Sequence, residues 1–141
     1  MENTPIRMRQ VRVPGDVMHA SRDILPFEEF ASGDEIQVVD YRQYKAYFAR
    51  IPAGTDFTSY YDSGECPHVG YVFSGRLRFV STDGRDEVVS AGELYYIPPG
   101  HVFYVLEDAE TVEFSPTAPY RLDREKIARK IAEIESRRDD L

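Results

Sequence analysis

The chain has 141 residues, enough for one domain around one core and too few for two of ordinary size; 42% are apolar and 13% aromatic, a globular composition suited to pleated, half-buried surfaces. Its net charge of −8 argues against a nucleic-acid-binding surface, which needs clustered Lys and Arg to neutralise phosphates. A single cysteine, Cys66, excludes an intrachain disulfide and any zinc site built from four thiolates.

The N-terminus, MENTPIRMRQ, has no apolar stretch after its charges, so it does not read as a secretory signal. No apolar run approaches the ~20 residues of a membrane span. A cytoplasmic location is the resulting expectation. Residues 7–13 (RMRQVRV) largely alternate charged or polar with apolar residues, the mark of a strand exposed on one face. Residues 24–30 (ILPFEEF) are interrupted by Pro26 and read as an irregular segment laying Ile24, Leu25, Phe27 and Phe30 against the body. Strand text then begins at Glu35, runs through IQVVD and YKAYFARI, and stops at Pro52-Ala53-Gly54.

Short strands follow, punctuated by turn residues. Phe57–Tyr61 ends at Asp62-Ser63-Gly64, Val69–Phe73 at Ser74-Gly75, and Arg76–Val80 at Thr82-Asp83-Gly84, a hairpin signal. Glu87–Val89 precedes Ala91-Gly92, Leu94–Ile97 precedes Pro98-Pro99-Gly100, His101–Leu106 precedes Glu107-Asp108, and Thr111–Phe114 closes the series. Strands at roughly 8–12-residue spacing predict an antiparallel sandwich or barrel. Residues 122–138 lack Gly and Pro and carry Leu122, Ile127, Ile131 and Ile134 near helical spacing, which predicts one amphipathic helix capped by Asp123. Arg and Lys on that helix interleave with Asp and Glu, so they read as a solvated face.

Two spaced blocks frame the middle of the chain: Gly54-x5-Tyr60-x-Asp62-x5-His68-x6-Gly75, and Gly92-x5-Pro98-x-Gly100-x2-Phe103-x3-Glu107. They resemble the two-motif signature of the cupin superfamily. Every turn-forming Gly and Pro of that signature is present, with one extra residue before His68. The resemblance is dense over residues 54–107 and extends loosely to 35–115. It implies an all-β fold, an antiparallel cupin-type β-barrel or jelly roll with a C-terminal α-helix. One domain then divides into an N-terminal strand and irregular arm (1–34), the barrel (35–116) and the C-terminal helical segment (117–141). Where the resemblance places metal ligands, the chain has Tyr60, Asp62, His68 and Phe103 instead of His, His, Glu and His.

Strand alternation places candidate side chains. If His68 points inward, Gly70, Val72 and Ser74 share its face, and Tyr71, Phe73, Leu77 and Phe79 point outward. His101, Phe103 and Val105 share a face on a later strand. His68 and Phe103 are thus expected to face one cavity, with Tyr60 lining it and His101 at its rim. One reading of the set is a metal site: Asp62, His68 and His101 would offer a carboxylate and two imidazoles to Fe, Zn or Mn, with Tyr60 or Cys66 as a fourth ligand. The other is a polar rim whose imidazoles are hydrogen-bonded. Cys66 reads either as a thiolate activated by His68 or as a small buried apolar residue.

The tyrosines and phenylalanines on the predicted strands either fill the core or form an apolar pocket with hydroxyls that orient a small ligand. The expected function is a stand-alone cupin that binds a small organic molecule through Tyr60, Cys66, His68, His101 and Phe103, in a sensing, carrier or accessory role without a standard metal centre. The alternative is a metal-dependent oxygenase, isomerase or cyclase using Asp62, His68 and His101. A homodimer formed through sheet faces or edges is expected, with no nucleic-acid or membrane partner.

Overall fold

The computed structural model describes residues 19–29, 34–55 and 64–139. The strands expected over 7–13 and 57–61, and with them Tyr60 and Asp62, lie outside the described residues. Within them the elements are β1 (Glu28–Glu29), β2 (Glu35–Tyr41), β3 (Tyr44–Ile51), β4 (His68–Ser81), β5 (Asp86–Ser90), β6 (Leu94–Ile97), β7 (His101–Pro116) and a helix, α1 (Thr117–Asp139). The order is β1-β2-β3-β7-β4-β5, with β6 beside the first half of β4, and every pairing is antiparallel. Among the described residues the sheet does not close on itself.

Two expected turns are not turns. Ser74-Gly75 lies inside the 14-residue β4, and Glu107-Asp108 lies inside the 16-residue β7. The register between these strands shifts three times, between Val72 and Ser74, Ser74 and Arg76, and Arg76 and Leu77. Gly75 sits in this bulge at φ 88°. Turns and bulges both call for glycine at positive φ, and only the partner strand decides which forms.

The bulge has a consequence for every side chain beyond it. Extra residues in one strand reverse which faces its later positions occupy. Leu77 and Phe79, expected outward, are 2% and 6% exposed and join Ile36, Val72, Val105 and Ala109 in the core. Before the bulge the expected parity holds: Val72 is fully buried and Phe73 is 44% exposed.

The arm over residues 19–29 covers the outer face of β2 and β3. Gln37 donates to the carbonyls of Arg22 and Leu25 at 2.7 and 2.8 Å, and the Arg22 guanidinium lies over the Phe48 and Phe73 rings. Of the apolar residues expected to pack there, Leu25 is buried, whereas Ile24 and Phe27 stay exposed and Phe30 lies outside the described residues.

Helix α1 starts at Thr117, five residues before the expected start at 122. Thr117 ties it to the β2–β3 turn, its N–H donating to the Gln43 carbonyl and its hydroxyl to that of Arg42. Pro119 fits the first turn because the N–H it lacks would have no helical partner there. Asp123, the expected cap, is inside the helix. Its carboxylate instead accepts the backbone N–H groups of Glu65 and Cys66 at 2.9 Å, pinning the entry to β4. Ile127 is buried against the sheet, worth about 1.5–3 kcal/mol, while Ile131 and Ile134 are half-buried. No helix among the described residues is long and apolar enough to cross a membrane.

Candidate functional site

One row of cross-strand partners organises the interior. Tyr47 on β3 lies opposite Glu113 on β7, Glu113 opposite Gly70 on β4, and Gly70 opposite Tyr95 on β6. Residues directly opposite in a sheet share a face, so all four point inward. Gly70 makes the row work. A Cβ there would sit 2.4 Å from both Cζ and the hydroxyl of Tyr95, which means that the phenol passes through the space a side chain would fill. Tyr95 thereby donates to Glu113 Oε2 at 2.5 Å, while Tyr47 donates to Oε1 from the other flank.

His68 joins this cluster through Nδ1, which is 2.7 Å from Ser115 Oγ, 3.2 Å from the Tyr47 hydroxyl and 3.5 Å from Glu113 Oε1. Burial first, then the Glu113 charge, raises the Tyr47 and Tyr95 hydroxyls well above the ordinary phenol range. Both therefore remain protonated donors at neutral pH. Hydrogen bonds to a charged acceptor contribute about 1.5–3 kcal/mol each, which holds the carboxylate in one orientation.

The cavity beside this cluster has a volume of about 90 Å³. Its polar wall is Tyr47, His68, Thr111 and Glu113, and its apolar wall includes Ile36, Leu77, Phe79 and Phe103. Helix α1 contributes Tyr120, Asp123, Arg124 and Ile127 to the lining, and Asp34 and Cys66 also border it. Tyr120 packs against Tyr47 with ring centroids 5.3 Å apart. His68 and Phe103 thus border one cavity. Sequence reasoning counted Tyr47 and Tyr95 among the strand aromatics available to a pocket without singling them out, and missed Glu113, Ser115 and the helix residues. The available signals were a carboxylate at an inward position of the apolar run TVEF and a glycine within the strand text HVGYVF.

His101 is not at a rim. It is 2% exposed, packs edge-to-face on His68 with centroids 5.2 Å apart, and donates from Nδ1 to the Pro98 carbonyl at 3.0 Å. Burial, then the neighbouring His68, lowers its pKa. An imidazole neutral when folded takes up its proton more readily when unfolded, so it stabilises the fold above its unfolded pKa and that contribution is lost as pH falls. Thermal unfolding from pH 7 to 5 should show a shallower decline for His101→Asn, whose amide can keep the bond to Pro98, than for the parent. Parallel curves would contradict this assignment. Cys66 is buried, its thiol pushed up to about 12 by burial, and it donates to the Pro67 carbonyl at 3.3 Å. At neutral pH it is a thiol, so the activated-nucleophile reading fails.

A cupin-domain family model matches residues 47–117, just over half of the chain. The chain belongs to the cupin family. Solved cupin-fold structures agree. An RmlC-like cupin from Shewanella frigidimarina superposes at a TM-score of 0.58 with 19% identity, covering 70% of this chain and 90% of that one. A putative ethanolamine-utilisation protein, EutQ, from Salmonella typhimurium gives 0.55 with 13% identity over 75% and 89% of the two chains. The polyketide cyclase RemF from Streptomyces resistomycificus gives 0.53 with 19% identity over 72% and 80%. Identities this low show the fold alone. No curated protein matches the sequence.

Of the four positions where the cupin pattern has metal ligands, His68 and Phe103 are described, and these two do not fit a standard centre. Among the described residues no three His, Cys, Asp or Glu side chains converge as a ligand group. Phe103 brings a hydrocarbon ring to the cavity where the pattern has an imidazole, and His68, whose Nδ1 is held by Ser115, stands where it has a carboxylate.

Proposed function

We propose that this cupin binds a small organic molecule in the interior of a cupin-type β-barrel or jelly roll, in a sensing, carrier or accessory role in the cytoplasm. The observation that carries the reading is the cavity's division: a carboxylate held by two phenols, one of them Tyr47 on the cavity wall, with an imidazole beside it at one end, and aliphatic and aromatic side chains at the other. Such a division fixes a ligand's orientation and buries its apolar part. Helix α1 borders the site, and Asp123 holds it to the entry of β4.

A metal-dependent cupin enzyme using Asp62, His68 and His101 is favoured by one feature, the adjacency of the two imidazoles. The homodimer has support of its own on the outer sheet face. Phe114, Val69 and Tyr96 form a cross-strand row, 48%, 50% and 62% exposed, next to Leu94 at 79%. With Phe73 these side chains leave on the order of 500 Å² uncovered, and two such patches reach the roughly 1,000 Å² that a specific interface needs.

Native mass spectrometry of protein purified without a metal-affinity tag tests the three readings together. The expected spectrum is a dimer with a small organic mass bound in each chain, lost in Tyr95→Phe/Glu113→Gln. One iron, zinc or manganese per chain would replace the binding reading with the enzyme. A monomer at micromolar concentration would reject the dimer, and an empty protein that takes up nothing from a metabolite extract would reject the binding role.

A further inference from the structure

We propose that the ligand is a small organic cation, a primary alkylammonium, with its charge seated at Glu113 and its carbon chain against Phe79 and Phe103. This rests on the reading of the cavity as a ligand site and names the chemistry the site selects.

The first argument is the direction of the hydrogen bonds. Tyr47 and Tyr95 both spend their O–H groups on Glu113, one on each carboxylate oxygen. Each phenol has one proton to give, so neither can donate to a ligand at the same time. A carboxylate oxygen accepts more than one hydrogen bond, and what Glu113 has left for the cavity is acceptor capacity on a negative group. An ammonium brings three donors and no acceptor, whereas a carboxylate ligand would bring acceptors and like charge.

The remaining lining agrees. Asp34, Glu113 and Asp123 border the cavity against one guanidinium and the His68 imidazole among the described lining residues, and the guanidinium, on Arg124, donates to the Tyr120 hydroxyl at 2.7 Å. The Phe79 and Phe103 rings lie 5.8 Å apart and both line the apolar wall. They give the carbon chain an apolar surface to bury against. Size sets the scale. The cavity of about 90 Å³ is smaller than the ~150 Å³ that accommodates benzene in an engineered core, so the ligand has roughly four or five non-hydrogen atoms.

The test titrates the full chain at pH 7 with n-propylamine, 1-propanol and propionate, three probes of nearly one size, read by calorimetry or ligand-observed NMR. Propylamine should bind at least tenfold tighter than the other two. Glu113→Gln should remove at least tenfold of its affinity, and Phe103→Leu should weaken propylamine and propanol together. Propanol or propionate binding as tightly as the amine would overturn the cation while leaving the cavity as a ligand site. Unchanged amine binding in Glu113→Gln would overturn the seat. If Glu113→Gln fails to fold, Glu113→Asp, which keeps the charge but draws it back from the cavity, decides, an unchanged amine affinity overturning the seat. Binding of none of the probes overturns it too, and whether the ligand-site reading falls with it is read separately from the native mass spectrum.

Discussion

Gly75→Ala should destabilise the fold by roughly 2–5 kcal/mol, the sum of a positive-φ penalty for a residue with a Cβ and the overpacking of a closed strand pair. A Cβ at this position would lie 2.2 Å from the Asp108 carbonyl oxygen and 2.7 Å from Ala109 Cα. Both are backbone atoms of β7, so no side-chain rotation relieves the contact. The bulge around Gly75 also returns Leu77 and Phe79 to the core, and a chain that straightened to avoid the clash would turn both outward. Urea unfolding measures the effect directly. A loss below about 1 kcal/mol would mean that the bulge does not depend on glycine.

Gly70→Ala should cost about 2–4 kcal/mol and disable the site, by a different route. Here the nearest obstacle is the Tyr95 phenol at 2.4 Å, with the Val112 carbonyl at 2.7 Å behind it. Displacing the phenol breaks its bond to Glu113 and adds packing strain. A double-mutant cycle separates the two obstacles. In a Tyr95→Leu background the phenol is gone, and the added cost of Gly70→Ala should fall by at least about 1 kcal/mol. An undiminished cost would assign the clash to the Val112 carbonyl and remove Tyr95 as its cause.

Much of the local structure was legible from residue types. The alternation in IQVVD and YKAYFARI predicts β2 and β3, and Thr82-Asp83-Gly84 predicts the hairpin between β4 and β5, because strand period and turn chemistry are properties of a few neighbouring residues. The glycine and proline spacing carried the family for the same reason, since each marks a backbone geometry that few other residues adopt. Of the site, the same logic brought His68 and Phe103 to one cavity, because each is counted from a nearby strand start.

What the local pattern did not determine depends on partners far away in sequence. Ser74-Gly75 reads as a turn until β7 is paired alongside it; the pairing makes it a bulge, and the parity of Leu77 and Phe79 follows the bulge. Asp123 reads as a helix cap until the β4 entry lies beside it, when the N–H groups of Glu65 and Cys66 bind the carboxylate. His101 was placed at a rim by its position near the strand start, but a residue's depth depends on what packs over it, here His68 and Phe79. Glu113 is the clearest case. Its own strand shows only a carboxylate among apolar residues. Its role exists because Tyr47, Gly70 and Tyr95, from three other strands, fall into one register row with it, and register is a property of the assembled sheet.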